Sequence, residues 1–581
     1  MIQKFLEEAS HGKLIGILII VSFFLLMFGN NLVSLTHPDE VFYTQSAKEM
    51  IAHHSWLTPY IFDRPQFEKP ILFYWLLVIA IKFFGLTAFA ARFWPAFFGI
   101  IGVLVTYWFS FMLFRNKSLS FLSGFILASS VIYVALSRAV LTDMVFSMWV
   151  VFSLAFFYFG YSNPRAKRIG IILCFFFSGL AVLTKGMLGI VFPFGTIILF
   201  LYYNHNLNFL KDRSLFWAAG LLALIVIPWH YVMIKMYGSE FINEYWFNVH
   251  LRRIIEAEHK KSNTWYFYIV TVVAGTFPWS LWLVPAAIFV FKKSGRQLIN
   301  RAKSESVSSR EENKSQLVFL LVWILVVFLV MQTAQSKLAS YIFPLFPAVA
   351  IILGYYFHHE FSFSKQPPSR AMSIIPICMA GFLLISSVLS VVFSQIYAKL
   401  INHDFRVYTL SLLILFLACW IFVLSRRQDY FKLLFANGAV TLFILITAFV
   451  GHSYAEPWVS CKMISEMLKK IDQSDSALLV NKSFARGVRF YTDRMPAVVD
   501  LNGEQFFSPH PVIFLNSEEK IVRFLEKQPM TYCIVKKSTK NDLDRIGGKI
   551  NLNITDLAQM GEKYLLCIKN KSPSAQNYSL K

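Results

Sequence analysis

The sequence predicts a polytopic α-helical membrane protein of about thirteen transmembrane helices, closed by a small α/β domain. Three observations predict it. Of 581 residues, 56% are hydrophobic and only 15% charged, with 60 Phe, whereas a soluble protein keeps roughly a quarter of its residues charged. Long apolar runs recur, each close to the ~20 residues that cross hydrocarbon. Between the runs, Lys and Arg gather in alternate loops, which is the positive-inside pattern. Together these exclude a soluble enzyme over most of the chain, and the apolar content excludes a disordered scaffold. The net charge of +22 is carried by those loops, so no nucleic-acid partner is expected; the partners are membrane lipids.

The apolar runs fall near 13–33, 89–113, 119–137, 144–161, 168–184, 187–203, 213–234, 265–291, 316–332, 341–358, 372–396, 405–424 and 431–452. The first is long enough to span and is followed by polar Asn30-Asn31, so it reads as an uncleaved span rather than a signal peptide. A further apolar stretch, Ile71 to Phe84, is short and carries Lys82, which suits an interfacial segment better than a span. Topology arbitrates. With a cytoplasmic N-terminus and thirteen spans, the inner loops hold Arg115/Lys117, Arg165/Lys167/Arg168, Lys211/Arg213, the block Lys292 to Lys314, Lys365/Arg370 and Arg426/Arg427. Counting Ile71–Phe84 as a span would put these clusters outside.

This arrangement makes 1–455 a membrane domain with outer loops 34–88 and 235–264, and 456–581 an outer, periplasmic α/β domain. In the latter, Leu478–Val480, Ala497–Val499, Thr531–Val535 and Tyr564–Ile568 read as strands, and Ile464–Lys470 and Glu518–Lys527 as amphipathic helices. The six Cys form no CxxC or zinc spacing; Cys174, Cys378 and Cys419 read as packing residues, while a disulfide among Cys461, Cys533 and Cys567 stays open.

The polar residues that need explaining share the predicted outer side. His37-Pro38-Asp39-Glu40 follows the first span; Asp39 could N-cap a helix over Glu40–Met50, or the pair of acids could hold a metal, orient a sugar or act as a general base. In Phe67-Glu68-Lys69-Pro70, Lys69 could snorkel to head groups or meet a lipid phosphate. Arg138 and Asp143 lie in one short turn, where a salt bridge between them is the plain expectation. Thr184-Lys185-Gly186 reads as a helix end, Lys offsetting the dipole and Gly allowing the turn. His250, Arg252 and Arg253 follow the aromatic run Tyr245-Trp246-Phe247, and Lys337 and Tyr341 fall at another outer boundary.

Taken in order, Asp39-Glu40…Tyr43…Glu49-Met50, Phe67-Glu68-Lys69-Pro70, Arg138…Thr142-Asp143, Thr184-Lys185-Gly186 and Ser336-Lys337…Tyr341-Ile342-Phe343-Pro344 resemble the bacterial GT-C glycosyltransferases. Within them the likeness is to the lipid A aminoarabinose transferase group, and more distantly to protein O-mannosyltransferases. The resemblance implies a GT-C membrane domain at the bacterial inner membrane, and transfer of one sugar, an amino sugar, from an undecaprenyl-phosphate donor to lipid A or a related envelope acceptor at the periplasmic face. By it, Asp39 lies at the reaction centre with Glu40 beside it. Lys69 and Tyr341 hold the donor phosphate, joined by Arg253, Lys337 and Arg138. Asp143 supports the acceptor or phosphate cavity. Glu68 and His250 would form a divalent-metal site, zinc-like or manganese-like, with no cofactor obligatory. The group often has Arg three residues after its first Asp; this chain has Phe42, which shifts part of the phosphate contact to a residue such as Arg253.

Three alternatives stand beside this reading. A protein O-glycosyltransferase uses the same residues on another acceptor, and an O-antigen-type ligase has an outer loop rich in Arg and His, which 235–264 partly supplies. A flippase or transporter has interrupted helices and ionisable residues near mid-membrane, whereas the charges here sit at the outer ends of spans.

Overall fold

The computed structural model describes residues 6–256, 262–300, 309–362, 369–396, 405–501, 503, 506, 510, 512–550 and 552–570. The chain divides into two compact units: one of residues 1–30, 69–73 and 92–450, the other of 31–68, 74–91 and 451–581. The second therefore draws the first long loop together with the C-terminal segment.

In the first unit every apolar run has become helix. Among the described residues nine helices are long and apolar enough to cross a membrane, and eleven if each of two sharply bent pairs counts as one span. His11–Met27, Leu72–Phe84 and Leu188–Tyr203 are shorter; the expected thirteen is reached only by adding the first and third of these. The chain is a multi-pass membrane protein. Leu224 and Phe216 on the helix Ser214–Phe241 are 70% and 76% exposed, as residues facing lipid are. Lys365 and residues 301–308 of the basic block lie outside the described residues.

Two runs expected as plain spans are broken. Lys117–Ala128 and Val131–Ser137 meet at 63°, Phe267–Thr276 and Ser280–Lys292 at 115°. A break exposes backbone groups that lipid cannot satisfy, and the two breaks satisfy each other. The Val131 N–H donates to the Phe277 carbonyl (2.9 Å), and the Trp279 indole N–H to Ser129 Oγ (3.1 Å). Thr441 donates to the Ser129 carbonyl and Asn437 to that of Pro278. Interrupted helices are thus present, but these bonds involve Ser, Thr, Asn, Trp and backbone rather than ionisable groups. The segment 235–264 is also not the irregular loop expected: after a break at Gly238 the helix continues in wide π turns through Ile242–Arg252 and a last turn, Arg253–Ile255. Residues 257–261 lie outside the described residues.

The second unit is built on a six-stranded sheet in the order β5-β4-β3-β6-β8-β7. Its strands are β3 (Ala477–Asn481), β4 (Ala497–Val499), β5 (Phe514–Leu515), β6 (Met530–Val535), β7 (Asn553–Met560) and β8 (Lys563–Lys569); β1 (Tyr60–Ile61) and β2 (Arg64–Pro65) form a separate hairpin. Strands β5, β4, β3 and β6 run parallel and β8 and β7 antiparallel. One sheet face buries Leu479, Val499, Cys533, Val535 and Leu566 against Ile521, Leu525, Leu543 and Ile546 of two helices. Cys461, Cys533 and Cys567 are free and buried, so the open disulfide is not formed.

The first-loop helix spans Asp39–Ala52, with Pro38 at the cap position. Asp39 is therefore its first residue, not its cap. The hairpin turn puts Phe62 and Asp63 at φ 53° and 58°, a conformation that costs a non-glycine residue about 1–2 kcal/mol. Glu49 holds it in place: its buried carboxylate accepts from the N–H groups of Phe62 (3.2 Å) and Asp63 (2.8 Å).

Candidate active site

Two helix ends meet in the first unit. The helix Thr142–Ser162 opens with Asp143 in its first turn, and Lys167–Lys185 closes on Lys185. Each charge suits the dipole at its own helix end. The two side chains form a buried ion pair, 7% and 6% exposed. The salt bridge expected between Arg138 and Asp143 is replaced by this one. Arg138 instead donates to the carbonyls of Leu25 (2.9 Å) and Phe28 (2.6 Å) and lies 4.8 Å from the Phe449 ring centre. It ties helix ends together through two of its N–H groups.

The ammonium of Lys185 lies 4.6 Å from the Tyr341 ring centre and 5.6 Å from that of Phe146, a cation against apolar rings. Gly186 follows at φ 90°, and a Cβ there would sit 2.3 Å from Nε2 of His250, so only glycine fits both the turn and the contact. His250 Nδ1 bonds the Tyr245 carbonyl at 2.6 Å. That carbonyl can only accept, so Nδ1 carries the proton and Nε2 of the neutral ring faces Gly186 as an acceptor. Tyr245 also meets His230, whose Nε2 is 3.3 Å from its hydroxyl.

Backbone bonds draw in the remaining candidates. The N–H groups of Gln335 and Ser336 donate to the carbonyls of Ile254 and Arg253, which lays the stretch leading to Tyr341 along the end of the π-turn segment. Lys337, buried, donates to Asn263 Oδ1 (3.1 Å) and the Thr264 carbonyl (3.3 Å). The charges of Lys69 and Arg253 reach the His250 ring. Lys69, Lys185 and Arg253 thus bring positive charge to a set in which, among the described residues, Asp143 is the carboxylate paired with Lys185. Such a set, among apolar rings, is prepared for an anion.

The second unit carries the other candidates. Asp39 is exposed. Glu40 is buried, and its carboxylate accepts from both the N–H and the hydroxyl of Thr36 at 2.9 Å; it closes the helix start, which leaves little of it for chemistry. Glu68 lies 3.6 Å from Arg486. Among the described residues no three His, Cys, Asp or Glu side chains gather as a metal site. Glu68 faces a guanidinium, and His250 bonds the Tyr245 carbonyl through Nδ1 and packs against the Tyr245 and Trp246 rings. Among the described residues no third His, Cys, Asp or Glu joins either of them.

His37 packs 5.3 Å from the Phe484 ring and 3.8 Å from Cys461 Sγ. Burial, with the charges of Lys563 and Lys536, holds its pKa down to about 4. Below pH 6.5 the unfolded chain takes up a proton that the folded chain refuses, so this ring costs stability progressively as pH falls from 6.5 toward 4. Thermal unfolding over that range is expected to show a loss of stability that His37→Gln lessens.

Of the candidate site residues, Asp143 and Tyr341 meet at Lys185, His250 meets the Gly186 that follows it, and the charges of Lys69 and Arg253 reach His250; Lys185 itself reads in the sequence only as a dipole residue. Its signal was the Thr-Lys-Gly motif itself.

Comparison with known proteins agrees with this architecture. Residues 13–241 match the family model described as dolichyl-phosphate-mannose-protein mannosyltransferase. An undecaprenyl phosphate-alpha-4-amino-4-deoxy-L-arabinose arabinosyl transferase of Erwinia tasmaniensis is 30% identical over 331 residues, 56% of this chain and 55% of that protein. An uncharacterized protein of Aquifex aeolicus is 25% identical over 503 residues, 84% of this chain and 91% of the other. The match thus spans about half the length of the arabinosyl transferase. The crystal structure of ArnT from Cupriavidus metallidurans bound to undecaprenyl phosphate superposes with a TM-score of 0.72 at 19% identity, covering 98% of this chain and 100% of that one. The fold is accordingly of that type, a GT-C membrane domain with a small C-terminal sheet domain.

Proposed function

We propose that this chain, a GT-C-type membrane protein resembling the lipid A aminoarabinose transferases, is a polyprenyl-phosphate-dependent glycosyltransferase of the bacterial inner membrane. It moves one sugar, an amino sugar, from an undecaprenyl-phosphate carrier to lipid A or a related envelope acceptor at the periplasmic face. The observation that carries the reading is the buried Asp143–Lys185 pair, its ammonium 4.6 Å from the Tyr341 ring centre, with the charges of Lys69 and Arg253 reaching the His250 ring that meets the adjacent Gly186. The named specificities of the Erwinia and Cupriavidus proteins supply the donor class.

In the proposed reaction the bond between the anomeric carbon and the bridging phosphate oxygen breaks. Its electron pair leaves with the carrier as undecaprenyl phosphate, and an acceptor oxygen forms the new bond to carbon. Negative charge grows on the leaving oxygen, and preorganised cations stabilise it without reorganising. Lys69 and Arg253 take that part, while Asp143 holds Lys185 in place through their ion pair. A phosphate acceptor is already an anion and needs little base; a hydroxyl acceptor would lose its proton to Asp39.

Mass spectrometry of lipid A from a deletion strain tests the reading. Loss of one pentosamine- or hexosamine-sized mass is expected. Loss of long glycan chains instead would mark a ligase, and an unchanged lipid A with an underglycosylated envelope protein would mark a protein O-glycosyltransferase. Orientation is tested by Leu86→Cys, at the end of the short apolar helix Leu72–Phe84, in a background lacking the exposed Cys378 and Cys419. Labelling from the periplasmic side is expected; labelling from the cytoplasm alone would overturn the topology.

A further inference from the structure

Four parallel strands run β5-β4-β3-β6, and β3, the first of them in the chain, lies inside. From β3 the chain goes one way to β4 and β5, then returns to the other side of β3 as β6. Such a reversal leaves a crevice outside the carboxyl ends of the two central strands, where open α/β sheets bind ligands. Here the crevice carries charges of both signs: Lys536 pairs with Glu562 at 3.5 Å, and Asp500, just past β4, lies within reach of the charges of Lys482 and Lys536. Lys482 follows β3 and Lys536 follows β6, and Asn481 bridges them: its Oδ1 accepts the Lys536 N–H at 2.6 Å, while its Nδ2 donates to the Val499 carbonyl and to Thr539.

Arg486, four residues beyond Lys482, extends this edge toward the first loop of the same unit. Its guanidinium lies 4.4 Å from the Phe42 ring centre, and its nitrogens bond Nε2 of His510 at 2.9 and 3.3 Å. Its side chain is only 14% exposed, yet the one carboxylate paired with it among the described residues, Glu68, stands at 3.6 Å, beyond hydrogen-bond distance. Arg489, one turn on, makes a contrast: it pairs with Asp63 at 2.7 Å and with Glu49 at 3.5 Å. A largely buried arginine normally meets a closely bonded carboxylate, because a buried charge left loosely compensated is costly. Among the described residues Arg486 has instead a loose partner, an imidazole nitrogen that accepts from it and an aromatic wall.

We propose that this edge of the C-terminal sheet recognises a phosphomonoester on the acceptor's sugar headgroup, with Arg486 as its principal ligand and Lys482 and Lys536 flanking it. The planar guanidinium suits bidentate phosphate contact. The aromatic wall suits the apolar face of a sugar. The loop it faces, through Phe42 and Glu68, also carries Asp39, to which chemistry is assigned. The carrier phosphate is the other source of such a group, but Lys69, Arg253 and Lys337 of the first unit are already assigned to it. The inference rests on the transferase reading above and adds an acceptor site to it.

The test measures binding to the full-length protein in nanodiscs. The probes are bisphosphorylated lipid A, the same lipid after phosphatase treatment, and undecaprenyl phosphate. Arg486→Ala is expected to weaken binding of phosphorylated lipid A by at least about tenfold, the scale of one charge-assisted bond. The dephosphorylated lipid and undecaprenyl phosphate should bind as to wild type. Arg486→Lys should recover part of the loss, and Lys482→Ala with Lys536→Ala should shift the same affinity by less. In turnover the change should fall on the acceptor KM and spare the donor KM. Equal weakening for both forms of lipid A, weakening confined to undecaprenyl phosphate, or no change would each overturn the proposal. Should Arg486→Ala fail to fold, Arg486→Lys and Arg486→Gln decide between charge and shape. A wild-type protein that binds phosphorylated lipid A selectively but transfers no sugar would sink the transferase reading and leave this site standing.

Discussion

Lys185→Met is expected to destabilise the membrane unit by about 3–5 kcal/mol and to abolish transfer, because it strands Asp143 as a buried, unpaired carboxylate. Both side chains are under a tenth exposed, so water cannot take over the lost partner. Thermal unfolding in detergent, read beside the transfer rate, checks this. Asp143→Asn should be the milder change, since the Lys185 cation keeps the faces of Tyr341 and Phe146. The informative variant is the double one. Replacing Asp143 by Leu and Lys185 by Met removes both charges and should recover most of the lost stability, as apolar replacement of buried pairs often does. If the pair serves the reaction, the double variant stays inactive though folded. Activity restored along with stability would reduce the pair to a structural tie and remove the observation on which the proposed function leans.

Lys185 shows where sequence reasoning stops. Asp143 has Arg138 five residues before it, and local spacing made that the natural partner; the real one is 42 positions away in sequence and arrives only because two helices pack side by side. The spans themselves were legible, since apolar runs of bilayer length have one physical explanation. The helix breaks were not: Ser129-Ser130 and Pro278 sit inside runs apolar enough to hide them, and it is the exchange of bonds between the two breaks that makes either tolerable. In the C-terminal domain the four buried strands showed in their Val, Ile and Leu content. The edge strand β7, sequence NITDLAQM, is half polar, and β5 has two residues, so neither carries a readable pattern. The helix Ala485–Thr492 was missed as well, and with it Arg486 and Arg489. No spacing rule connects these arginines to Glu68, Glu49 and Asp63 more than 400 residues earlier.

Asp39→Asn is expected to slow transfer by about 10²–10⁴-fold, the range a positioned general base contributes, while leaving the protein inserted and abundant. Asp39 is exposed in the first turn of its helix, so the change removes a charge without opening a cavity. The neighbouring carboxylate gives the internal control. Glu40 is buried and bonded twice to Thr36, so Glu40→Gln should lower stability, by about 1–3 kcal/mol for a disrupted buried bond, with a smaller effect on rate in the protein that remains folded. Lys69→Ala should also abolish transfer through loss of phosphate neutralisation, and Lys69→Arg should keep part of it if charge alone is needed. Rates measured with a purified polyprenyl-phosphate sugar separate these outcomes. The size of the Asp39 effect also reports on the acceptor. A hydroxyl must lose a proton as it attacks and depends on the base throughout, whereas a phosphate acceptor is already ionised and gains little from one. An Asp39→Asn rate above about half of wild type would therefore remove Asp39 from the reaction centre as a base and favour an acceptor that attacks as a phosphate.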